Sequence, residues 1–157
     1  MDIREIVQTE RAAEDAFIAR RWFTTTMVVH GECIDLGVAD GWFACEDGEI
    51  IGLVTYRIAG GEMEILSLDS LREGWGIGMA LLDRAISRAR EAGCTRVWLI
   101  TTNDNLRAQR FYRKRGFTLV AVHENALDEA RRLKPEIPLV GMDGIPLKDE
   151  LEFELRL

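Results

Sequence analysis

Hydrophobic positions recur along this chain with two different periods, which predict an alternation of strands and helices. Apolar residues at helical spacing predict a helix over residues 9–22, with Thr9 as its N-cap. The β-branched run at 24–29 predicts a strand. The weakly patterned stretch 31–41 is interpreted as a loop.

The region that follows has the pattern of an antiparallel meander of three strands. Strands at 41–45 and 50–58 flank the turn residues Asp47 and Gly48, which tolerate positive φ. A third strand over 62–68 follows a second glycine turn. Because tight turns join these strands, we expect each one to pair with its neighbour in sequence.

A strand–helix–strand succession comes next. Four apolar residues share one face of a predicted helix that ends near Gly93: Leu82, Ala85, Ile86 and Ala89. The nearly continuous apolar run 96–101 predicts a strand whose sheet is covered on both faces. The order of these elements predicts a parallel pair of strands.

The last third of the chain predicts two helices and two strands. Asn103 or Asp104 is a suitable N-cap for the first helix, and a strand follows over 117–122. A short helix is predicted over 126–133, where Pro135 soon ends it. The final residues alternate between leucine or phenylalanine and charged residues, which predicts a half-exposed antiparallel strand.

Composition and charge narrow the class of protein. The 157 residues are 47% apolar and 30% charged, which fits one globular domain over residues 1–157, and the order of the predicted elements makes it a mixed α/β domain. A net charge of −7 argues against nucleic acid and anionic membranes as partners. The apolar runs are shorter than a membrane span.

Cysteine and histidine content argues against a metal site. The three cysteines have no CxxC spacing, and the chain has two histidines. An odd number of cysteines without a signal peptide is typical of reduced thiols, so we expect a cytoplasmic protein. Cys45 and Cys94 lie among apolar residues and are interpreted as packing residues.

One short segment carries candidate chemistry. Residues 72–78 read R-E-G-W-G-I-G, between the third meander strand and the next helix. Alternating glycines remove Cβ atoms from the turn and leave N–H groups at a helix N-terminus, an arrangement that binds phosphate. A P-loop would need Lys and then Ser or Thr after the last glycine, and a dinucleotide fingerprint would need a glycine at Met79. The sequence has neither.

A second motif lies about thirty residues downstream. Residues 105–117 read N-x-x-A-x-x-F-Y-x-x-x-G-F, on a predicted helix and the turn after it. Together with the glycine segment, this motif resembles the GNAT superfamily of acyl-CoA-dependent N-acetyltransferases. The resemblance covers about residues 50–120 and implies a mixed, mostly antiparallel sheet with a splayed parallel pair and flanking helices.

The resemblance also implies binding of acetyl-CoA as a cosubstrate, without a metal. The glycine turn would hold the pyrophosphate, and strand backbone would pair with the pantetheine arm. Asn105 would hydrogen-bond that arm or cap its helix, Trp75 would cover the adenine or pack on a helix, and Arg107 or Arg72 would reach the 3′-phosphate. The cofactor-binding residues that the resemblance implies are, in full, Leu66, Leu68, Arg72, Gly74, Trp75, Gly76, Ile77, Gly78, Met79, Asn105, Arg107 and Ala108.

The glycine segment departs from the family pattern at one position. Glu73 stands where the family usually has Gln or Arg. A carboxylate beside a pyrophosphate is unfavourable unless it points away. We therefore expect Arg72 to compensate for Glu73, or Glu73 to face solvent.

Two side chains are the candidates for catalysis. Tyr112 matches the family tyrosine whose hydroxyl lies near the CoA sulfur and assists the departing thiolate; the alternative is a core tyrosine packed on Phe111. Glu64 is predicted on the same strand face as Leu66 and Leu68, where a carboxylate is expensive to bury. The resemblance implies a general base near this position, which would accept the proton of the amine directly or through water. The alternative is a strand-end glutamate that reaches solvent.

The function expected from these residues is transfer of an acetyl group from acetyl-CoA to a primary amine by direct attack in a ternary complex. The alternative is a CoA-binding regulatory module without turnover. The acceptor, a small molecule or a peptide, is set in this family by segments that correspond to residues 17–23, 31–41 and 134–148. A homodimer that forms through the last strand is a further expectation.

Overall fold

The computed structural model describes residues 1–6, 16, 26–29, 32–35 and 39–157. The predicted first helix, over 9–22, lies outside the described residues except for Ala16, which is helical. The chain divides into two compact units. One contains Met1–Met27, Asp35–Val97 and Leu157, and the other contains Val28–Ile34 and Trp98–Arg156.

The described residues form strands and helices in a mixed α/β order. The strands are β1 (Asp2–Glu5), β2 (Thr26–Val29), β3 (Glu32–Asp35), β4 (Asp40–Glu46), β5 (Glu49–Ala59), β6 (Glu62–Ser70), β7 (Arg96–Thr102), β8 (Thr118–His123) and β9 (Glu150–Arg156). The helices are α1 (Ile77–Glu91), α2 (Leu106–Lys114) and α3 (Ala126–Leu133). The predicted α/β class is confirmed.

One predicted loop is wrong. The stretch 31–41 contains β3, which pairs with β2 in a separate two-stranded sheet, and its end already belongs to β4. Only four residues make up β3, so its pattern is too short to stand out in the sequence. The backbone hydrogen bonds of β3 come from its pairing with β2, and the residue types of β3 do not indicate that pairing.

The first unit contains the predicted antiparallel meander. Its strands are neighbours in the order β1-β4-β5-β6, with β4 against β5 and β5 against β6 antiparallel. The turn between β4 and β5 has Asp47 at φ 51° and Gly48 at φ 79°, as its residue types predicted. The meander is therefore confirmed, and it fixes β6 as the strand that leads to the glycine segment.

Helix α1 packs closely on this unit. The four predicted apolar residues of its inner face are all fully buried: Leu82, Ala85, Ile86 and Ala89. Gly52 of β5 lies directly beneath the helix, since a Cβ there would come within 2.7 Å of Ile77 Cγ2 and 3.0 Å of Leu81 Cδ1. The absence of a side chain at Gly52 thus lets the start of α1 approach the sheet.

The strands on either side of α1 begin side by side. The N–H of Thr95 donates to the carbonyl of Gly61 at 2.8 Å, and Arg96 Nε donates to Glu62 Oε1 at 3.0 Å. Because β6 and β7 start at the same end and α1 connects them, they form the predicted parallel pair. The predicted full coverage of β7 is wrong, because Trp98 remains partly exposed.

The second unit places β9 between two other strands. The order is β7-β9-β8, and β8 is antiparallel to β9, as predicted for the last strand. Since β9 has a neighbour at each edge, the predicted pairing of the last strand across a dimer is wrong. Phe153 is buried as the alternation predicted, but Glu150 at the start of β9 is buried too.

The buried phenol of Tyr56 gives the first unit a dependence on alkaline pH. Its ring stacks on Trp42, with centroids 5.3 Å apart. Burial raises the pKa of Tyr56 above its ordinary value of 10.0, and the hydrogen bond with Arg88 partly opposes that shift. Because the folded-state pKa is the higher one, this contribution to stability is complete below pH 10 and is lost as pH rises through the folded-state pKa.

We expect Tyr56→Phe to flatten the alkaline loss of stability. Urea unfolding of the wild type and the variant, measured in steps between about pH 8 and pH 11, gives the free energy of unfolding at each pH. The difference between the two proteins should change above about pH 10 and stay constant below it. A difference that is constant over the whole range would contradict the buried neutral phenol.

Candidate functional site

The segment between β6 and α1 forms an open glycine turn. Gly74 and Gly76 both have φ of 75°, and a Cβ on either would meet no atom within 4 Å. Gly76 is the N-cap of α1, no side chain caps this end, and no acidic residue lies in the first turn. The first N–H groups of a helix have no acceptor within it, so Ile77, Gly78 and Met79 present donors here. A phosphate group fits this turn.

Charged and aromatic side chains flank the open turn. Arg72 forms an ion pair with Glu46 at the end of β4, and its guanidinium lies 5.0 Å from the centroid of the Trp75 ring. Trp75 is 64% exposed. Glu73 is exposed, in line with the expectation that it faces solvent. The turn therefore carries one cation and one uncovered aromatic face.

Strand β6 contains a bulge that the sequence analysis missed. Thr55 pairs with Ser67 and Tyr56 pairs with Ile65, so Leu66 has no partner on β5. Regular pairing resumes further along, where Leu68 opposes Val54. A bulge takes one residue out of the ladder and bends the strand, and bulges are frequent beside active sites. No residue type in this apolar run signals the bulge, which therefore could not be read from the pattern.

The bulge changes the face on which Glu64 lies. Thr55 and Arg57 share one face of β5, and they oppose Ser67 and Glu64. The Thr55 and Ser67 hydroxyls are 2.6 Å apart, which confirms that they share this face. The predicted common face of Glu64 with Leu66 and Leu68 is therefore wrong, because that prediction assumed an unbroken two-residue alternation.

Glu64 is a buried carboxylate with a cationic partner. Its exposed fraction is 3%, so the alternative of a solvent-reaching glutamate is wrong. Arg57 Nε and Nη2 each lie 3.0 Å from Glu64 Oε1. The guanidinium supplies the counter-charge that a buried carboxylate requires.

In the second unit, Tyr112 is held by aromatic neighbours. Its ring is buried and lies edge-on to Phe111, with centroids 5.2 Å apart. Phe117 follows the turn at Gly116, and its ring centroid lies 5.7 Å from that of Tyr112. The packing expected of a core tyrosine is therefore present. A ring fixed in this way is also what a catalytic hydroxyl at Tyr112 would need.

Asn105 begins helix α2. Its side-chain oxygen accepts the N–H of Ala108 at 3.1 Å, so Asn105 is the N-cap. The alternative given for Asn105, capping of its helix, is confirmed, and the predicted caps Asn103 and Asp104 are wrong for this reason. Arg107 in the first turn is exposed. The cap uses the side-chain oxygen of Asn105.

Asn103 and Asp104 instead hold the segment before β9, a role that the sequence analysis missed. Asn103 Oδ1 accepts the N–H groups of Lys148 and Asp149, both at 3.0 Å. Asp104 is buried, and its Oδ2 accepts the N–H of Met142 at 2.9 Å. The sequence carries one sign of this role, Gly141, because a Cβ at that position would lie 2.0 Å from Asp104 Oδ2. This glycine does not stand out among the many others in the sequence.

The described residues contain neither a cluster of metal-binding side chains nor a helix that could span a membrane. No group of three or more His, Cys, Asp or Glu side chains there is arranged to hold a metal ion. No helix in that part of the chain is long and apolar enough to cross a membrane. Cys45 and Cys94 are both buried, which agrees with their interpretation as packing residues.

The fold is a mixed α/β arrangement with an open glycine turn at the start of α1, and comparison with known proteins shows the family. Residues 6–117 match the model of the Acetyltransferase (GNAT) family. The uncharacterized protein YdhI of Bacillus subtilis (strain 168) is 49% identical over 138 residues, 87% of this chain and 86% of its own. The chain belongs to the GNAT family of acetyltransferases.

Solved structures of the family share this fold. A GNAT family acetyltransferase from Elizabethkingia anophelis, solved with acetyl-CoA bound, has a TM-score of 0.72 at 17% identity and covers 99% of this chain and 97% of its own. The IAA acetyltransferase from Bacillus cereus ATCC 14579 has a TM-score of 0.71 at 19% identity and covers 99% of both chains. These matches confirm the predicted fold: a mixed, mostly antiparallel arrangement with one parallel pair.

The N-cap at Asn105 gives a direct stability test. Asn105→Ala should lower the free energy of unfolding by about 1 kcal/mol, because the Ala108 N–H loses its acceptor. Asn105→Asp keeps an acceptor oxygen and should retain most of that stability. Urea unfolding of both variants measures the difference. Equal stability of Asn105→Ala and the wild type would show that the side chain does not cap α2.

Proposed function

We propose that this protein transfers the acetyl group of acetyl-CoA to a primary amine. The observation that carries the proposal is the open glycine turn, which offers N–H donors without Cβ atoms at the start of α1, in a chain of the GNAT family. CoA contains a pyrophosphate, and such a turn suits it. The acetyl-CoA bound by the similarly folded Elizabethkingia protein supports the same choice of cofactor.

The proposed cofactor contacts follow the described geometry of each unit. In the first unit, the N–H groups from Gly74 to Met79 would hold the pyrophosphate, with Arg72 and Trp75 beside them. The backbone of Leu66, outside the β5 ladder, and of Leu68 would pair with the pantetheine arm. In the second unit, Asn105, Arg107 and Ala108 are the proposed contacts.

The proposed reaction has one bond-forming and one bond-breaking event. The amine nitrogen attacks the thioester carbonyl carbon, the new C–N bond forms, and the C–S bond breaks. A main-chain N–H near Leu66 would stabilise the oxyanion. Tyr112 would donate a proton to the departing thiolate, and Glu64 would take the proton from the amine, directly or through water.

The proposal for the acceptor names only its chemical class, and the proposal for the protein's location names only a compartment. We propose a small-molecule or peptide amine as acceptor, and the net charge of −7 would attract a cationic one. We propose a single cytoplasmic domain, with the reduced thiols that its cysteine content predicts. A CoA-binding module without turnover is the second candidate, supported by the aromatic packing around Tyr112.

A thiol-release assay separates these two candidates. The protein is incubated with acetyl-CoA and a panel of amines that includes polyamines, amino sugars and lysine derivatives, and free CoA is measured. Amine-dependent release of CoA supports the transferase. Thermal stabilisation by acetyl-CoA without release from any amine would favour the binding module. Absence of stabilisation and of release would contradict both.

Replacement of the Tyr112 hydroxyl tests its proposed role. Tyr112→Phe should lower kcat by about 10² to 10⁴-fold, because the thiolate would leave without its proton donor. The KM for acetyl-CoA and the thermal stability should change little, since the ring packing is kept. Tyr56→Phe, which also removes one buried phenol hydroxyl, is the matched control and should keep its kcat. An unchanged kcat in Tyr112→Phe would overturn the assignment.

A further inference from the structure

Arg72, Glu46 and Trp75 form a cluster at the edge of the glycine turn, called here the Arg72 cluster. Arg72 belongs to the segment between β6 and α1, and Glu46 ends β4. The guanidinium pairs with the Glu46 carboxylate and lies over the Trp75 ring. The Arg72 main chain is also fixed, since its N–H donates to Ser70 Oγ at 3.3 Å and its carbonyl accepts from the same hydroxyl at 3.2 Å. The cluster is therefore a built arrangement and not a loose surface arginine.

The ion pair in this cluster is open to exchange. The side chains of Arg72 and Glu46 are 38% and 30% exposed. Half-exposed pairs contribute little to folding stability, because water and salt screen them. A phosphate dianion carries more charge than a carboxylate and matches the planar fork of the guanidinium. A phosphate that reaches Arg72 would therefore displace Glu46.

The chemistry of the cluster fits a base and a phosphate on the same molecule. Trp75 lies between Gly74 and Gly76, so its ring is tied to the turn that would hold the pyrophosphate. Its exposed face can stack on a planar base, while Arg72 offers a cation beside it. Adenosine 3′-phosphate, the end of CoA, has both groups. The pyrophosphate has its own neutral donors at the start of α1.

We propose that Arg72 recognises the 3′-phosphate of CoA and that Glu46 is a competing counter-ion within the protein. Without cofactor, Glu46 holds the guanidinium on Trp75. The 3′-phosphate takes the place of Glu46, and the carboxylate moves into solvent. This exchange makes Arg72 the residue that discriminates CoA from dephospho-CoA, and Glu46 the residue that limits the strength of that preference. The inference rests on the proposed function, because it requires that the protein bind CoA.

Isothermal titration calorimetry with two ligands tests this exchange. CoA and dephospho-CoA share the pyrophosphate, the adenine and the pantetheine arm, and differ in the 3′-phosphate. The wild type should bind CoA about tenfold or more tightly than dephospho-CoA, as expected for a charge-assisted hydrogen bond. Arg72→Gln should abolish that preference, because it should lose far more affinity for CoA than for dephospho-CoA. Retained binding of dephospho-CoA also shows that the variant is folded.

Removal of the competing Glu46 carboxylate should have the opposite effect on the affinity for CoA. Glu46→Gln should bind CoA several-fold more tightly than the wild type, with little change for dephospho-CoA. Glu49→Gln is the matched control, because Glu49 is exposed, opposes Glu46 across the same hairpin and loses the same charge. The control should leave both affinities unchanged, which excludes a general effect of net charge.

Three results would overturn the inference. An equal loss for CoA and dephospho-CoA in Arg72→Gln would assign Arg72 to the pyrophosphate. Weaker CoA binding in Glu46→Gln would mean that Glu46 orients Arg72 and does not compete with the ligand. A wild type that binds CoA without preference over dephospho-CoA would exclude a 3′-phosphate contact while the proposed function stands. Binding of neither compound would overturn the proposed function, and this inference with it.

Discussion

Helix α1 begins with N–H donors that no side chain caps, and several features of the first unit contribute to that arrangement. A turn without Cβ atoms on its outer side is needed before the helix, and Gly74 and Gly76 provide it at a φ that disfavours other residues. Ile77, one residue later, is almost fully buried. Its side chain can reach the sheet because Gly52 lies beneath it. The residue that anchors the helix therefore also supplies one of the donors.

The proposed function requires an acidic protein to bind a polyanion, so its carboxylates need to be compensated or directed away from the ligand. Glu64 is buried against Arg57, and Glu73 is exposed at the turn. Glu46 pairs with Arg72 next to the turn, where a cation would lie close to the proposed cofactor. At this turn, the local placement of charge therefore matters more for an anionic ligand than the net charge of −7 does.

Long periodic elements were predictable from the sequence, and local departures from regularity were not. The face of α1 and the turn at Asp47 follow from spacing and residue type, and both are confirmed. The bulge at Leu66 was not predictable, because an apolar run reads the same with or without one extra residue. It moved Glu64 to the other face, so a single irregularity altered the surroundings of a candidate catalytic residue. The cap of α2 was ambiguous, because three neighbouring residues of the Asn and Asp type are equally good caps by composition.

The central claim is that the start of α1 binds the pyrophosphate of CoA through its backbone. The most direct measurement is an NMR titration of the ¹⁵N-labelled protein with CoA, in which the amide signals of Gly76, Ile77, Gly78 and Met79 are followed. We expect these amides to show the largest downfield proton shifts in the first unit, since each would gain a charged acceptor. Saturable shifts elsewhere, with these four amides unchanged, would contradict the claim.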